Sequence, residues 1–119
     1  MSLDFQKGEM ILIDKELNWT SFDVVSKLRN SIKKKLNIKK IKVGHAGTLD
    51  PLAYGLLLIC TGKLTKKIND FSDLDKSYIG TLTIGSTTPS YDLETKPNMN
   101  YPTAHITEDL IIETSIEFI

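Results

Sequence analysis

The chain of 119 residues has a single cysteine, Cys60, and two isolated histidines, His45 and His105. One cysteine excludes an internal disulfide, and its setting in Leu56-Leu57-Leu58-Ile59-Cys60 predicts a buried, reduced thiol of the cytosolic kind. Without paired Cys or His spacings there is no zinc pattern, and no metal is expected. Long apolar runs are also missing: the longest spans Leu56 to Cys60, far short of the ~20 residues of a membrane helix. The opening Met1-Ser2-Leu3-Asp4-Phe5-Gln6 lacks the basic start and apolar stretch of a signal peptide, so a cytoplasmic protein is expected. Arginine is almost absent, Arg29 being the only one.

The charge that is present is unevenly placed. Net charge is zero, yet residues 1–23 balance to −3, residues 24–69 to +10 and residues 70–119 to −7. Lys27, Arg29, Lys33, Lys34, Lys35, Lys39, Lys40 and Lys42 follow one another with no acid between Asp23 and Asp50. Such a block suits a phosphate backbone and makes binding salt-dependent. On charge alone, a solvated helix face explains it equally well.

An apolar content of 40% over this length allows one domain with a modest core. Met10 to Asp14 reads as a strand ending at Lys15. Thr20 and Asp23 make an approximate capping box for a helix over about Ser21 to Leu36, with Val25, Leu28, Ile32 and Leu36 on one face. Ile41 and Val43 suggest a short strand, Leu56 to Thr61 a buried one, and Leu64 to Phe71 a short helix. Tyr78, Gly80, Leu82 and Ile84 alternate with Ile79, Thr81 and Thr83, as in a strand. Residues 85–106, with Pro89, Pro97 and Pro102, read mostly as loop. Thr107, Glu108 and Asp109 open a last helix carrying Leu110, Ile112, Ile116 and Ile119. Strands and helices in no strict βαβ order indicate an α+β fold, a mixed β-sheet with flanking helices.

The segment Gly44-His45-Ala46-Gly47-Thr48-Leu49-Asp50-Pro51-Leu52-Ala53-Tyr54-Gly55 sets one carboxylate in a connection between two strands. Gly44, Gly47 and Gly55 permit close approaches and unusual backbone angles, while Pro51 keeps Asp50 out of helical geometry. A loop of this kind can aim a carboxylate at a ligand. Asp-Pro is also a common turn starter, with the Asp side chain bonding backbone N–H groups two residues on.

Gly44-His45-Ala46-Gly47-Thr48-Leu49-Asp50-Pro51-Leu52-Ala53 followed by Gly55-Leu56-Leu57 closely resembles the active-site segment of bacterial tRNA pseudouridine-55 synthases, the TruB family. Ile13-Asp14-Lys15 with Trp19-Thr20-Ser21-Phe22-Asp23-Val24-Val25, then Asp75-Lys76-Ser77-Tyr78, then Ile84-Gly85-Ser86-Thr87-Thr88-Pro89-Ser90-Tyr91-Asp92 follow in the family's order. The resemblance runs from about residue 8 to the end. The family's Asp-Lys-Pro-x-Gly is replaced by Glu16 and Asn18 at its third and fifth places, a departure that bears on the local turn more than on the chemistry.

This resemblance implies a partial pseudouridine synthase catalytic domain. Residues 1–119 would be its N-terminal portion, with a C-terminal half and an RNA-binding module lying outside the chain. It implies that Asp50 is the catalytic nucleophile, with no metal or organic cofactor, since an ionised carboxylate can form an adduct or stabilise charge on the sugar. It implies that Tyr78 lies against the target base, and that His45 fills the space left when the nucleotide swings out. Lys15 becomes a phosphate or structural contact and Asp92 a member of a polar network; by residue type alone Tyr78 would be a core aromatic and His45 a turn residue. The family's charge partner for Asp50 is an Arg in the later half of its sequence, and Arg29 lies in the wrong region for that role.

The partner implied is tRNA at its T-stem loop, with Lys33, Lys34, Lys35, Lys39 and Lys40 on the RNA backbone, no membrane, and possible self-association of the truncated chain. The rival readings are an inactive remnant that still binds RNA, a guide-RNA-dependent archaeal or eukaryotic relative, and a phospho-accepting Asp. The last lacks a second nearby acid for magnesium, Asp50 being the only acid between Asp23 and Asp70.

Overall fold

The computed structural model describes residues 3–119, and the chain divides into two compact units, Met1–Ser77 and Tyr78–Ile119. The first unit carries strand β1 (Met10–Lys15), helix α1 (Ser21–Leu36), strands β2 (Val43–Ala46) and β3 (Gly55–Thr61), a 3-10 helix (Gly62–Lys67) and helix α2 (Ile68–Ser72). Its sheet has the order β1-β3-β2, and both pairings are antiparallel. Ile13 lies opposite Leu57 and Ile11 opposite Ile59, while His45 faces Ile59 from the other side.

Helix α1 forms where the apolar spacing predicts it. Thr20, in extended geometry, accepts a bond from the Asp23 N–H through its side chain, and the Asp23 carboxylate accepts one from the Thr20 N–H, which completes a capping box. Asn37 closes the helix in left-handed geometry, its N–H reaching the carbonyls of Lys33 and Lys34. Val25 and Ile32 then meet Val43, Leu57 and Ile59 in a single buried cluster, with Leu28, Ile11, Ile13, Ile41 and Leu49 packed against it. Leu36 is 41% exposed and sits at the end of the stripe rather than in the core. Cys60 is fully buried, as its apolar run implies.

Two short elements differ from their expected bounds. Strand β2 begins at Val43, leaving Ile41 in the preceding connection, and the helix expected from Leu64 to Phe71 is a 3-10 turn followed by α2.

In the second unit a two-residue ribbon pairs β4 (Ser86–Thr87) with β5 (Met99–Asn100), and helix α3 (Glu108–Ile116) follows its cap Thr107. The strand expected over Tyr78–Ile84 does not form. The alternation is present, but among the described residues no other segment pairs with it, and Ile79 and Leu82 stand almost wholly in solvent. An extended segment without a ladder partner leaves its N–H and C=O groups to water. Leu110, Ile112 and Ile116 of α3 are likewise exposed. The α+β class holds, and among the described residues every strand pairing is antiparallel.

Candidate active site

Asp50 lies in the eight-residue connection between β2 and β3, and the chain on either side of it is pinned. The Ser21 hydroxyl, at the first turn of α1, donates to the Leu49 carbonyl at 3.0 Å and accepts from the Leu49 N–H at 2.9 Å. On the other flank, the Asn18 N–H donates to the Pro51 carbonyl at 2.7 Å. The Asp50 carbonyl accepts from the Ala53 N–H at 3.0 Å, a turn with Pro51 in the position its ring favours. Gly47 (φ +90°) and Gly55 (φ +117°) take backbone angles that side chains resist and bound the loop at its two ends.

The carboxylate itself is unspent. Asp50 is exposed, and among the described residues no hydrogen bond reaches its side-chain oxygens, including from the N–H two residues on. The turn is therefore made by the backbone, which leaves an anionic oxygen pair free on a held loop. That is the arrangement a carboxylate nucleophile or charge stabiliser needs.

His45 precedes the loop on β2, its Nδ1 lying 2.6 Å from the Gly47 carbonyl oxygen. A carbonyl only accepts, so Nδ1 is the donor in this contact. Of the two roles expected of Lys15, a phosphate or a structural contact, its bonds fit the structural one. It is 1% exposed, and its ammonium donates to the carbonyls of Trp19 at 2.6 Å and Glu16 at 3.1 Å. Its charge is consumed in holding the turn that carries Asn18. Beside it, the Lys27 ammonium sits 4.7 Å above the Trp19 ring.

Tyr78 and Asp92 belong to the second unit and Asp50 and His45 to the first. Tyr78 is exposed on the unpaired segment. The Asp92 carboxylate accepts from the Ser90 hydroxyl at 2.6 Å and the Glu94 N–H at 2.9 Å, which hold its pKa below the usual carboxylate range. These bonds are local, so the polar network around Asp92 is that of a loop cap. Arg29 donates to the Val43 carbonyl at 3.0 Å and supports the start of β2.

Of the five lysines expected on RNA, Lys33, Lys39 and Lys40 line one groove together with Arg29, Lys42, Lys63 and Lys66. Lys34 and Lys35 lie outside it. Sequence reasoning marked Asn18 only as a change in the local turn and did not single out Ser21, nor the contribution of Lys63 and Lys66, because each acts with partners distant in the chain. Among the described residues no group of three or more His, Cys, Asp or Glu side chains is placed to hold a metal ion, and no helix is long and apolar enough to cross a membrane.

A lone carboxylate on a loop framed by glycines and held on both flanks, on a unit that also carries a cationic groove away from it, defines the class: a site that can use a carboxylate, on a unit with a separate basic surface. Comparison with known proteins gives the family. Residues 33–119 match the model of the TruB family pseudouridylate synthase N-terminal domain, and the chain belongs to that family. It is 56% identical over 117 residues to a protein of Phocaeicola vulgatus, 51% over 117 residues to one of Bacteroides thetaiotaomicron and 55% over 117 residues to one of Flavobacterium johnsoniae, each named tRNA pseudouridine synthase B. In each case the match covers 98% of this chain and 50%, 49% and 51% of the relative, so the chain spans about half the length of the curated relatives it matches.

Proposed function

We propose that this chain is the N-terminal portion of the catalytic domain of a cytoplasmic tRNA pseudouridine synthase that converts uridine 55 in the T loop to pseudouridine. The reaction breaks the bond between uracil N1 and ribose C1′, turns the base and joins C5 to C1′; the C5 proton leaves and N1 gains one. Atoms and electrons balance without a redox partner, and a carboxylate nucleophile suffices. Asp50 takes that role, Tyr78 the face of the target base, and His45 the space of the extruded nucleotide. The observation that carries the reading is the unengaged Asp50 carboxylate on a loop fixed by Ser21 and Asn18.

A second reading, an inactive remnant that retains RNA binding, is supported by the seven-cation groove, which requires no chemistry at Asp50. The two separate in a chimera in which this chain replaces the corresponding half of the Phocaeicola vulgatus relative. Tritium release from C5-labelled uridine in a T-arm transcript is expected, and Asp50→Asn should reduce it below about a hundredth while leaving RNA binding largely intact. Turnover that survives Asp50→Asn would remove Asp50 from the chemistry, and a silent chimera that still binds RNA would favour the remnant. We also propose self-association of the isolated chain through exposed apolar residues of α3, which sedimentation velocity over a concentration series tests.

A further inference from the structure

The groove of about 700 Å³ collects charge from three parts of the first unit. Arg29 and Lys33 come from α1, Lys39, Lys40 and Lys42 from its connection to β2, and Lys63 and Lys66 from the 3-10 helix after β3. No acid is among its lining residues, and Ile41, Gly62, Thr65 and Gln6 supply the remainder. The fold, not the sequence run, makes this cluster: Lys34 and Lys35 are adjacent in sequence to Lys33 yet lie outside the groove, whereas Lys63 and Lys66 are more than twenty residues from Lys42.

The position relative to Asp50 follows from the strand register. Val43 pairs with Thr61 and Ala46 with Leu58, and the Gly62 N–H donates to the Lys42 carbonyl at 2.9 Å. The groove therefore sits at one end of the β2–β3 pair, and the loop bearing Asp50 closes the other. Five residues of extended chain from Lys42 to Gly47 span roughly 16 Å at the rise of a strand. An anion in the groove is remote from a base at Asp50.

We propose that this groove is a phosphate-backbone site for the RNA substrate, engaging nucleotides away from the target uridine and contributing affinity without taking part in the chemistry. The proposal rests on the RNA reading above. Seven cations along an open groove exceed what a single phosphate neutralises; a repeating phosphodiester chain satisfies them in series. Free polyphosphate shares that chemistry and is the competing source.

The test is fluorescence anisotropy of a labelled T-arm hairpin with the whole chain across a salt series. One variant carries Lys39→Gln, Lys42→Gln, Lys63→Gln and Lys66→Gln; a charge-matched control carries Lys27→Gln, Lys34→Gln, Lys35→Gln and Lys67→Gln. The groove variant should flatten the slope of log K against log salt by up to roughly 0.9 for each phosphate it no longer neutralises, and the control by less than half as much. Four Lys→Arg changes at the groove positions should restore the slope, which separates the effect of charge from any effect on folding. With a short single strand confined to the loop sequence, groove variant and wild type should bind alike. Equal losses of affinity in groove variant and control, or an undiminished effect on the short strand, overturn the groove assignment and leave the RNA reading standing. Wild-type chain that binds tripolyphosphate but no RNA overturns both.

Discussion

Ser21→Ala should release the loop that carries Asp50. Ser21 is 2% exposed, and its single hydroxyl satisfies both the N–H and the C=O of Leu49, at 2.9 and 3.0 Å. Removing it leaves two backbone groups without partners, each worth about 1–3 kcal/mol when buried. Leu49 is only half-buried, so water recovers part of that, and a total near 2–3 kcal/mol is expected from the lower end of the range. At a urea dependence of about 1–3 kcal/mol per molar, the unfolding midpoint of the first unit should fall by roughly 1 M. Trp19, the only tryptophan, lies in that unit and reports the transition by fluorescence. Amide exchange at Leu49 should accelerate more than exchange in the central strand, because the loss is local before it is global. A midpoint unchanged within about 0.3 M together with unaltered Leu49 exchange would refute the clamp.

Lys15 separates a structural lysine from a phosphate-binding one: Lys15→Met should keep the unit within about 1.5 kcal/mol of wild type, while Lys15→Ala, which also empties the space of the stem, should cost roughly 3 kcal/mol. Neither should change the salt dependence of RNA binding, and a flattened slope for Lys15→Met would return the ammonium to the RNA. The Asp23 carboxylate is held below its usual range by the Thr20 side chain and then the Thr20 N–H, so its contribution to helix stability is present above the unfolded value of about 3.9 and lost as pH falls through the folded one. Circular dichroism should show a smaller acid loss of helix for Asp23→Ala than for wild type; equal losses would assign the effect elsewhere. Burial pushes the Cys60 thiol up, which favours the neutral form until pH rises through the raised value. Reaction with a thiol-specific disulfide reagent at about pH 8 should therefore be negligible in the folded chain and complete in urea, and prompt labelling of native protein would contradict its burial.

The parts of this fold written in local sequence were legible. The cap of α1 lies within three residues, Thr20 to Asp23, and the apolar spacing that follows marks its buried face at Val25 and Ile32. Strand β3 is a continuous apolar run because it is central, with β1 on one side and β2 on the other. What failed depended on partners. Alternation over Tyr78–Ile84 specifies which side chains share a face, but a strand exists only when another segment supplies its hydrogen bonds, and here none of the described residues does. The charge of Lys15 was visible, while its burial was set by the turn that folds back over its stem. Ser21 looked like the first residue of a helix; its partner lies 28 positions away, a separation no periodicity reports.

The place where the first motif departs from its family carries one of these distant couplings. Where the family has glycine, Asn18 stands with φ +65°, and asparagine is among the few non-glycine residues that tolerate this region. The left-handed step turns the chain so that the Asn18 N–H meets the Pro51 carbonyl, and Lys15 braces the same turn from within through the carbonyls of Glu16 and Trp19. Three residues later, Ser21 grips Leu49. The segment from Lys15 to Ser21 therefore serves as the second wall of the Asp50 loop, with contacts immediately before and immediately after the carboxylate. Asn18 makes in this chain a left-handed step that few residues other than glycine tolerate, and the Asp50 loop is anchored through it.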